Sequence, residues 1–229
     1  MAAGILKMLL PDRAVPVRIW RGPFRGARIV MNPRQSLRKI FGVYEHELNP
    51  WLERALGQVN RVVDVGANDG YFSFGCAAAF HRLGKKGEII GIENQDVCIA
   101  ELQESIKTQV WPEVTYQLVH AYAGREQKPG WVTLDALLCA TVAPDDRTNT
   151  LVKIDVEGAE VDVIEGGRSW ITPSNCFVVE VHEERFLSQL KTIFAECGHK
   201  LKQLDQSPLP LLGREMRRET NWWLVSDLQ

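Results

Sequence analysis

The chain has 229 residues, a net charge of −2, 45% hydrophobic residues and 24% charged residues. That balance is the one of an ordinary globular chain and excludes disordered, collagen-like and membrane-spanning classes, and the length suits one large domain or a domain with a short extension. The small net charge hides an asymmetry: residues 1–40 carry nine Lys/Arg against the single acid Asp12, or +8, and the remainder carries −10. Such a basic arm meets phosphate, an anionic membrane or an acidic partner, or else packs on the acidic body of its own chain.

The elements follow in chain order. "AAGILKMLL" is too short and too interrupted for a secretory signal; it reads as an N-terminal helix or frayed end, with an amphipathic helix on a membrane surface as the alternative. No stretch approaches the ~20 apolar residues of a membrane span. Residues 17–31 read as two short strands around a Gly/Pro turn. "GVYEHELNPWLERAL" is helical. From residue 61 strands and helices alternate. "RVVDV", "GEIIGIE", "VTYQLV", "TLVKIDV", "CFVVEVH" and "NWWLVS" read as strands. "YFSFGCAAAFHRLG" is helical with Gly84 at its C-terminal cap. "DVCIAELQESI" is helical with Cys98, Leu102 and Ile106 on one face. "AEVDVIEGG" is helical, as is "ERFLSQLKTIFAECG" with Phe186, Leu190, Ile193, Phe194 and Cys197 spaced by three and four. This alternation predicts an α/β fold with a mostly parallel sheet covered on both faces. Residues 1–57 form the basic extension and 58–229 the main domain. The five cysteines, Cys76, Cys98, Cys139, Cys176 and Cys197, are odd in number and contain no CxxC pair, which predicts reduced thiols of a cytoplasmic protein rather than a disulfide frame or zinc site. Trp20, Trp51, Trp131, Trp222 and Trp223 read as packing residues.

In such sheets ligands bind beyond the carboxyl ends of the strands, where the strand order reverses. The stretch "VVDVGANDGYF" ends one strand with Asp64, then Gly66 and Gly70 in the pattern D-x-G-x-x-x-G. Glycines here allow a tight turn and the close approach of a ligand. The dinucleotide fingerprint G-x-G-x-x-G is absent, and the acids Asp64 and Asp69 in this turn oppose a pyrophosphate. Glu93 ends the next strand, where a carboxylate can accept the two hydroxyls of a ribose. A nucleoside with positive charge and no phosphate meets these conditions, and S-adenosylmethionine is such a ligand. The candidate donor site comprises Asp64, Gly66, Ala67, Asn68, Asp69, Gly70, Tyr71, Phe72, Glu93 and Asn94. Ala121 and Tyr122 follow the third core strand, where backbone groups can read the adenine. Tyr44 and Glu45 precede the core; either covers the methionine end of the donor, or Glu45 caps or pairs with the basic arm.

These residues resemble a class I S-adenosylmethionine-dependent methyltransferase. "WVTLDALL" (131–138) followed by "LVKIDVEGAEVDVIEGG" (151–167), with "GVYEHE" ahead of the glycine turn, resembles the FkbM family of methyltransferases over about residues 20–182. "KIDVEGAE" is the most specific part. The resemblance implies a Rossmann-like, doubly wound seven-stranded sheet with a reversed last strand. It also implies S-adenosylmethionine as donor and O-methylation of a hydroxyl, often on a sugar or secondary metabolite. No clear acid follows "TYQLV" to read the adenine amino group.

Lys153, Asp155 and Glu157 alternate along "KIDVE", and Glu180 and His182 along "VVEVH", so each set shares one face of an extended segment. Converging carboxylates and an imidazole need a cation, proton or substrate in compensation. His182 is the natural general base for an alcohol, and Asp155 or Glu157 can orient it or act as base. Asp155, Glu180 and His182 can instead hold a divalent metal, chemistry that suits magnesium or manganese rather than structural zinc. Lys153 can be a buried partner of Asp155, and Glu157 can simply favour the helix that follows. The expected function is O-methylation of a sugar, glycolipid or secondary metabolite, with a small-molecule or glycan acceptor and, through the basic arm, possible peripheral membrane contact. A nucleic-acid methyltransferase using that arm is the alternative. "DVEG" stands where amino-methylating base enzymes carry [DN]-P-P-[YF]. A non-catalytic binding protein on the same scaffold and a NAD-linked oxidoreductase are the remaining readings.

Overall fold

The structure, a computed structural model, describes residues 10–141, 148–206, 208, 209 and 221–228. Most of "AAGILKMLL" lies outside them. Two short strands, β1 (Val15–Arg18) and β2 (Arg28–Met31), pair antiparallel around the Gly/Pro turn. The central sheet has seven strands: β3 (Arg61–Val65), β4 (Gly87–Glu93), β5 (Val114–His120), β8 (Thr150–Ile154), β9 (Cys176–Val181), β10 (Leu201–Leu204) and β11 (Trp222–Ser226). Helices α1 (Leu37–Ile40) and α2 (Asn49–Gln58) precede β3; between β5 and β8, β6 (Tyr122–Ala123) and β7 (Trp131–Val132) form a separate small pair, followed by α5 (Leu134–Thr141). The order across the sheet is β10-β11-β9-β8-β3-β4-β5. All neighbours are parallel except β11, which runs antiparallel to both β9 and β10.

The central strands are apolar because both their faces are covered. Every residue of β3, β8 and β9 is buried. Successive residues of β3 serve opposite layers. Val62 joins Cys76 and Phe80 of α3 (Tyr71–Arg82) together with Ile19, Phe24, Ile29 and Met31 of the N-terminal segment. Val63 and Val65 join Ile164 of α6 (Glu160–Glu165) and Leu190, Ile193 and Phe194 of α7 (Glu184–Glu196). Burial of each such side chain contributes about 1.5–3 kcal/mol.

Three local expectations shift. The "GVYEHELNPWLERAL" helix begins only at Asn49, after a 3-10 turn over His46–Leu48. Glu45 has a left-handed φ of 46°, and Pro50 fits the helix start, where its missing N–H has no intrahelical bond to make. The buried face of α4 (Asp96–Lys107) is Ile99, Leu102 and Ser105, one residue on from the expected Cys98. β8 ends at Ile154, so "TLVKIDV" is extended over fewer residues than its pattern suggests. Cys76, Cys98, Cys176 and Cys197 are free thiols. Among the described residues no helix is long and apolar enough to cross a membrane.

The chain runs outward from β3 to β4 and β5, then returns to β8 on the other side of β3. The reversal point is therefore the β3–β8 junction, and the segments that follow these strands open the site.

Candidate active site

The glycine turn leaves β3 through three left-handed residues, Gly66, Asn68 and Gly70, at φ of 77°, 48° and 80°. Gly66 is obligatory for space as well as conformation: a Cβ there would run into the backbone carbonyl oxygen of Asp155. That contact and the Asp155 N–H donated to Val65 O (3.0 Å) lock the two strand ends together. Glu93, buried at the end of β4, accepts three backbone N–H groups: Asn68 on Oε2 (2.8 Å), and Asn94 (2.8 Å) and Gln95 (2.9 Å) on Oε1. Its carboxylate is thus held rigidly toward the turn, with lone pairs left over for a ligand.

The two acids of the turn, Asp64 and Asp69, do not line the cavity at the strand ends. Asp64 is wholly buried, accepts the Ser73 hydroxyl (2.6 Å) and lies 3.3 Å from Lys153 Nζ. Burial pushes its carboxyl up, and Lys153 and Ser73 pull against this. Asp69 accepts the Tyr71 N–H at the start of α3 (3.1 Å) and pairs with Lys39 at 2.5 Å. Asp69 therefore holds the first N–H of α3, one residue ahead of its N-cap Gly70, and anchors a basic residue of the N-terminal segment. The acids that do line the cavity are Glu93, Asp155 and Glu157, and these oppose a pyrophosphate there.

Lys153, 7% exposed, links the strand ends. Its ammonium donates to Gly66 O (2.9 Å) and lies 3.2 Å from Asp155 Oδ2. Burial opposes its charge, but Asp155, Asp64 and Glu45 outweigh burial and hold its pKa above the ordinary lysine range. Burial likewise opposes the Asp155 carboxylate, and Lys153 and His182 prevail to hold its pKa below the ordinary range.

His182 follows β9 and packs behind Asp155. Its Nδ1 lies 2.6 Å from Glu160 Oε1, and its Nε2 lies 3.8 Å from Asp155 Oδ1. Glu160 is wholly buried and Glu180 is 2% exposed; Glu160 also accepts the Gly158 N–H (3.0 Å) and Glu180 accepts the Asn221 amide. Burial disfavours the imidazolium, but the Glu160 hydrogen bond and the charges of Glu180 and Asp155 overcome it and raise the His182 pKa. Glu160 has this orienting place, rather than Asp155 or Glu157. Glu157 has φ of 49° and is exposed at the rim, so the alternation through "KIDVE" stops at Asp155. The ligand atoms of Asp155, Glu180 and His182 all lie within 4.8 Å of one another.

A cavity of about 350 Å³ opens beyond these strand ends. Of the expected residues Gly66, Asn68, Glu93, Asn94, Ala121, Tyr122, Asp155 and Glu157 line it, and none of the described residues that line it is Lys or Arg. Asp64, Ala67, Asp69, Gly70, Tyr71, Phe72, Glu45 and His182 are not among its lining residues. Gly70 is packed against Phe74 and Leu102, and Tyr71 meets Tyr44 edge-on with centroids 5.5 Å apart. Trp131 does line the cavity, stacked on Tyr122 at 4.9 Å and 21°. Trp51 and Trp223 are core residues, each 1% exposed, whereas Trp20 is 64% exposed.

The sheet order, the single reversed strand and a cavity at the reversal point define a class I, Rossmann-like methyltransferase fold. Residues 115–201 match the model of the methyltransferase FkbM domain, a span that holds Asp155, Glu160, Glu180 and His182 and begins after the glycine turn. Among solved structures the FkbM methyltransferase from Methylobacillus flagellatus KT aligns at TM-score 0.55 and 18% identity, over 74% of this chain and 44% of that one. This chain thus spans less than half the length of that protein. Precorrin-6y C5,15-methyltransferase from Geobacter metallireducens GS-15 aligns at 0.53 and 12% identity, over 79% and 87%. TYW2 from M. jannaschii, solved in complex with AdoMet, aligns at 0.51 and 15% identity, over 94% and 85%. At these identities the likeness is one of fold. None of the curated proteins matches the chain.

Proposed function

We propose that this protein transfers a methyl group from S-adenosylmethionine to a hydroxyl of a sugar, glycolipid or secondary metabolite. The observation that carries the reading is the run Glu160–His182–Asp155 beside a cavity walled by Glu93. The cavity suits the donor. Glu93 stands ready for ribose hydroxyls, Ala121 and the Tyr122–Trp131 pair supply flat apolar surface for adenine, and the acids Glu93, Asp155 and Glu157 with no lining Lys or Arg favour a cation over a phosphate.

The bound donor supplies a methyl group already activated on a sulfonium. The chain must then align the acceptor and take its proton. Glu160 accepts from His182 Nδ1–H and so leaves Nε2 as the basic nitrogen. The 3.8 Å between Nε2 and Asp155 Oδ1 is too long for a hydrogen bond. A hydroxyl placed between them donates its proton to Nε2 as the oxygen bonds to the methyl carbon, and the donor departs as a neutral thioether. Lys153 keeps Asp155 ionised, so Asp155 orients the acceptor and stabilises the imidazolium rather than acting as the base.

One imidazole and two carboxylates also suit magnesium or manganese. Two neighbours already occupy this set: the Lys153 ammonium neutralises Asp155 and the Asn221 amide bonds Glu180. We therefore read the cluster as a proton site, without a metal. The free thiols support a reducing, cytoplasmic setting. The test is donor turnover across hydroxylated acceptors with and without a chelator. Turnover that survives chelation and is lost in His182→Ala supports this reading; loss on chelation, restored by magnesium or manganese, replaces the base by a metal.

A further inference from the structure

From Arg13 to Tyr44 the sequence holds eight Lys/Arg and not one Asp or Glu. Lys39 is spent on Asp69 and Arg34 on Asp12. Arg13, Arg18, Arg21, Arg25 and Arg28 are exposed. The β1–β2 register sets Arg18 directly opposite Arg28, an arrangement that destabilises a strand pair unless an anion lies across it. Arg82 joins them by donating to the carbonyl oxygens of Arg25 (2.6 Å) and Pro23. Burial first, and then the Arg25 charge, hold the Arg82 guanidinium below its ordinary range.

Apolar side chains are interleaved with this charge. Among the described residues five large hydrophobic side chains are exposed, and three belong here: Trp20 (64%), Leu83 (51%) and Val110 (56%). Trp20 lies between Arg18 and Arg21 in the chain, Leu83 follows Arg82, and Val110 follows Gln109, whose amide donates to Arg28 O (2.7 Å).

We propose that the β1–β2 hairpin and its loop dock this protein on an anionic bilayer surface. The arginines meet lipid phosphates, and Trp20, Leu83 and Val110 enter the headgroup boundary. Exposed Trp, Leu and Val beside arginine form the composition of an interfacial anchor. A nucleic acid would use the arginines but has no need of leucine and valine. Leu83 and Val110 follow the C-terminal ends of α3 and α4, whereas the cavity opens at the N-terminal ends of the same helices. The docking itself stands apart from methyl transfer.

The test is co-sedimentation of the full chain, without donor, with vesicles of phosphatidylcholine alone or mixed with phosphatidylglycerol, alongside a fluorescent single-stranded RNA oligomer. Binding to the mixed vesicles alone, weakened by salt, is expected. Arg18→Gln and Arg28→Gln should each lower partitioning about fivefold, and Trp20→Ser should lower it further, with the melting temperature of no variant lowered. No binding to mixed vesicles overturns the proposal. So does binding that these variants leave intact, or tighter binding to the RNA at the same salt. Donor binding, measured separately by calorimetry, reports on the methyltransferase reading whatever the vesicles do.

Discussion

Glu160 Oε1 lies 2.6 Å from His182 Nδ1, and Glu160 is wholly buried at the start of α6. A carboxylate in this position fixes the tautomer of the imidazole and raises its basicity. Glu160→Gln should lower kcat by about 10²–10⁴ with a smaller change in donor affinity. The pH–rate profile should also move: a general base works when neutral, so activity should rise with pH through a His182 midpoint above ~6.5, and the Gln variant should move that midpoint down. An unmoved midpoint would assign Glu160 a structural role only.

The same shift has a stability consequence of opposite sign. A histidine whose folded pKa is raised adds stability that is fully present below ~6.5. That contribution is lost as pH rises through the folded value. Urea titrations of the wild type and His182→Gln should therefore diverge most on the acid side of that window. Above it they should converge, apart from any lost packing. A pH-independent difference would show that His182 is neutral in the fold.

Lys153 holds two acids, Asp64 and Asp155, beneath the glycine turn. Lys153→Met should destabilise by about 3–5 kcal/mol, because it leaves the wholly buried Asp64 carboxylate without its cation. Adding Asp64→Asn should recover a good part of the loss, since it removes the wholly buried charge. Denaturant midpoints of the single and double variants read this directly, and simple additivity would disprove the coupling.

Gly66→Ala meets both a left-handed φ and the Asp155 carbonyl. The conformational strain alone costs about 1–3 kcal/mol, and the displaced carbonyl should also separate the ends of β3 and β8. Thermal unfolding should show a lowered Tm, and calorimetry a weakened donor. A variant with wild-type Tm would mean that the junction yields easily.

Six of the seven sheet strands are legible because most are apolar runs ending in turn residues, and because strands and helices alternate; the edge strand β10, "LKQL", is short and half polar and is not read from the sequence. Glu93 was legible for a related reason: it closes the strand after the glycine turn. What stayed hidden depends on chain crossings. Glu160 reads as an ordinary first-turn acid of a short helix, and only the adjacency of β8 and β9 brings it to His182, 22 residues away. The "KIDVE" alternation failed at Glu157 because the left-handed turn there ends the extended backbone. Asp69 looked like a ligand-facing acid, whereas its partner is Lys39, 30 residues earlier. Trp20 looked like packing, since sequence gives the hydrophobicity of an indole but not which side of a hairpin loop it leaves by.

Glu93 provides the most direct test of the central claim that the cavity holds a cationic nucleoside donor. Isothermal calorimetry with S-adenosylmethionine on the wild-type chain should give saturable binding at one site. Glu93→Gln, which replaces one carboxylate oxygen by an amide and removes the charge, should weaken it by about tenfold or more, the loss of a charged hydrogen bond. NADH should give no heat with either protein. NADH binding in place of S-adenosylmethionine, or donor binding that Glu93→Gln leaves unchanged, would contradict the account.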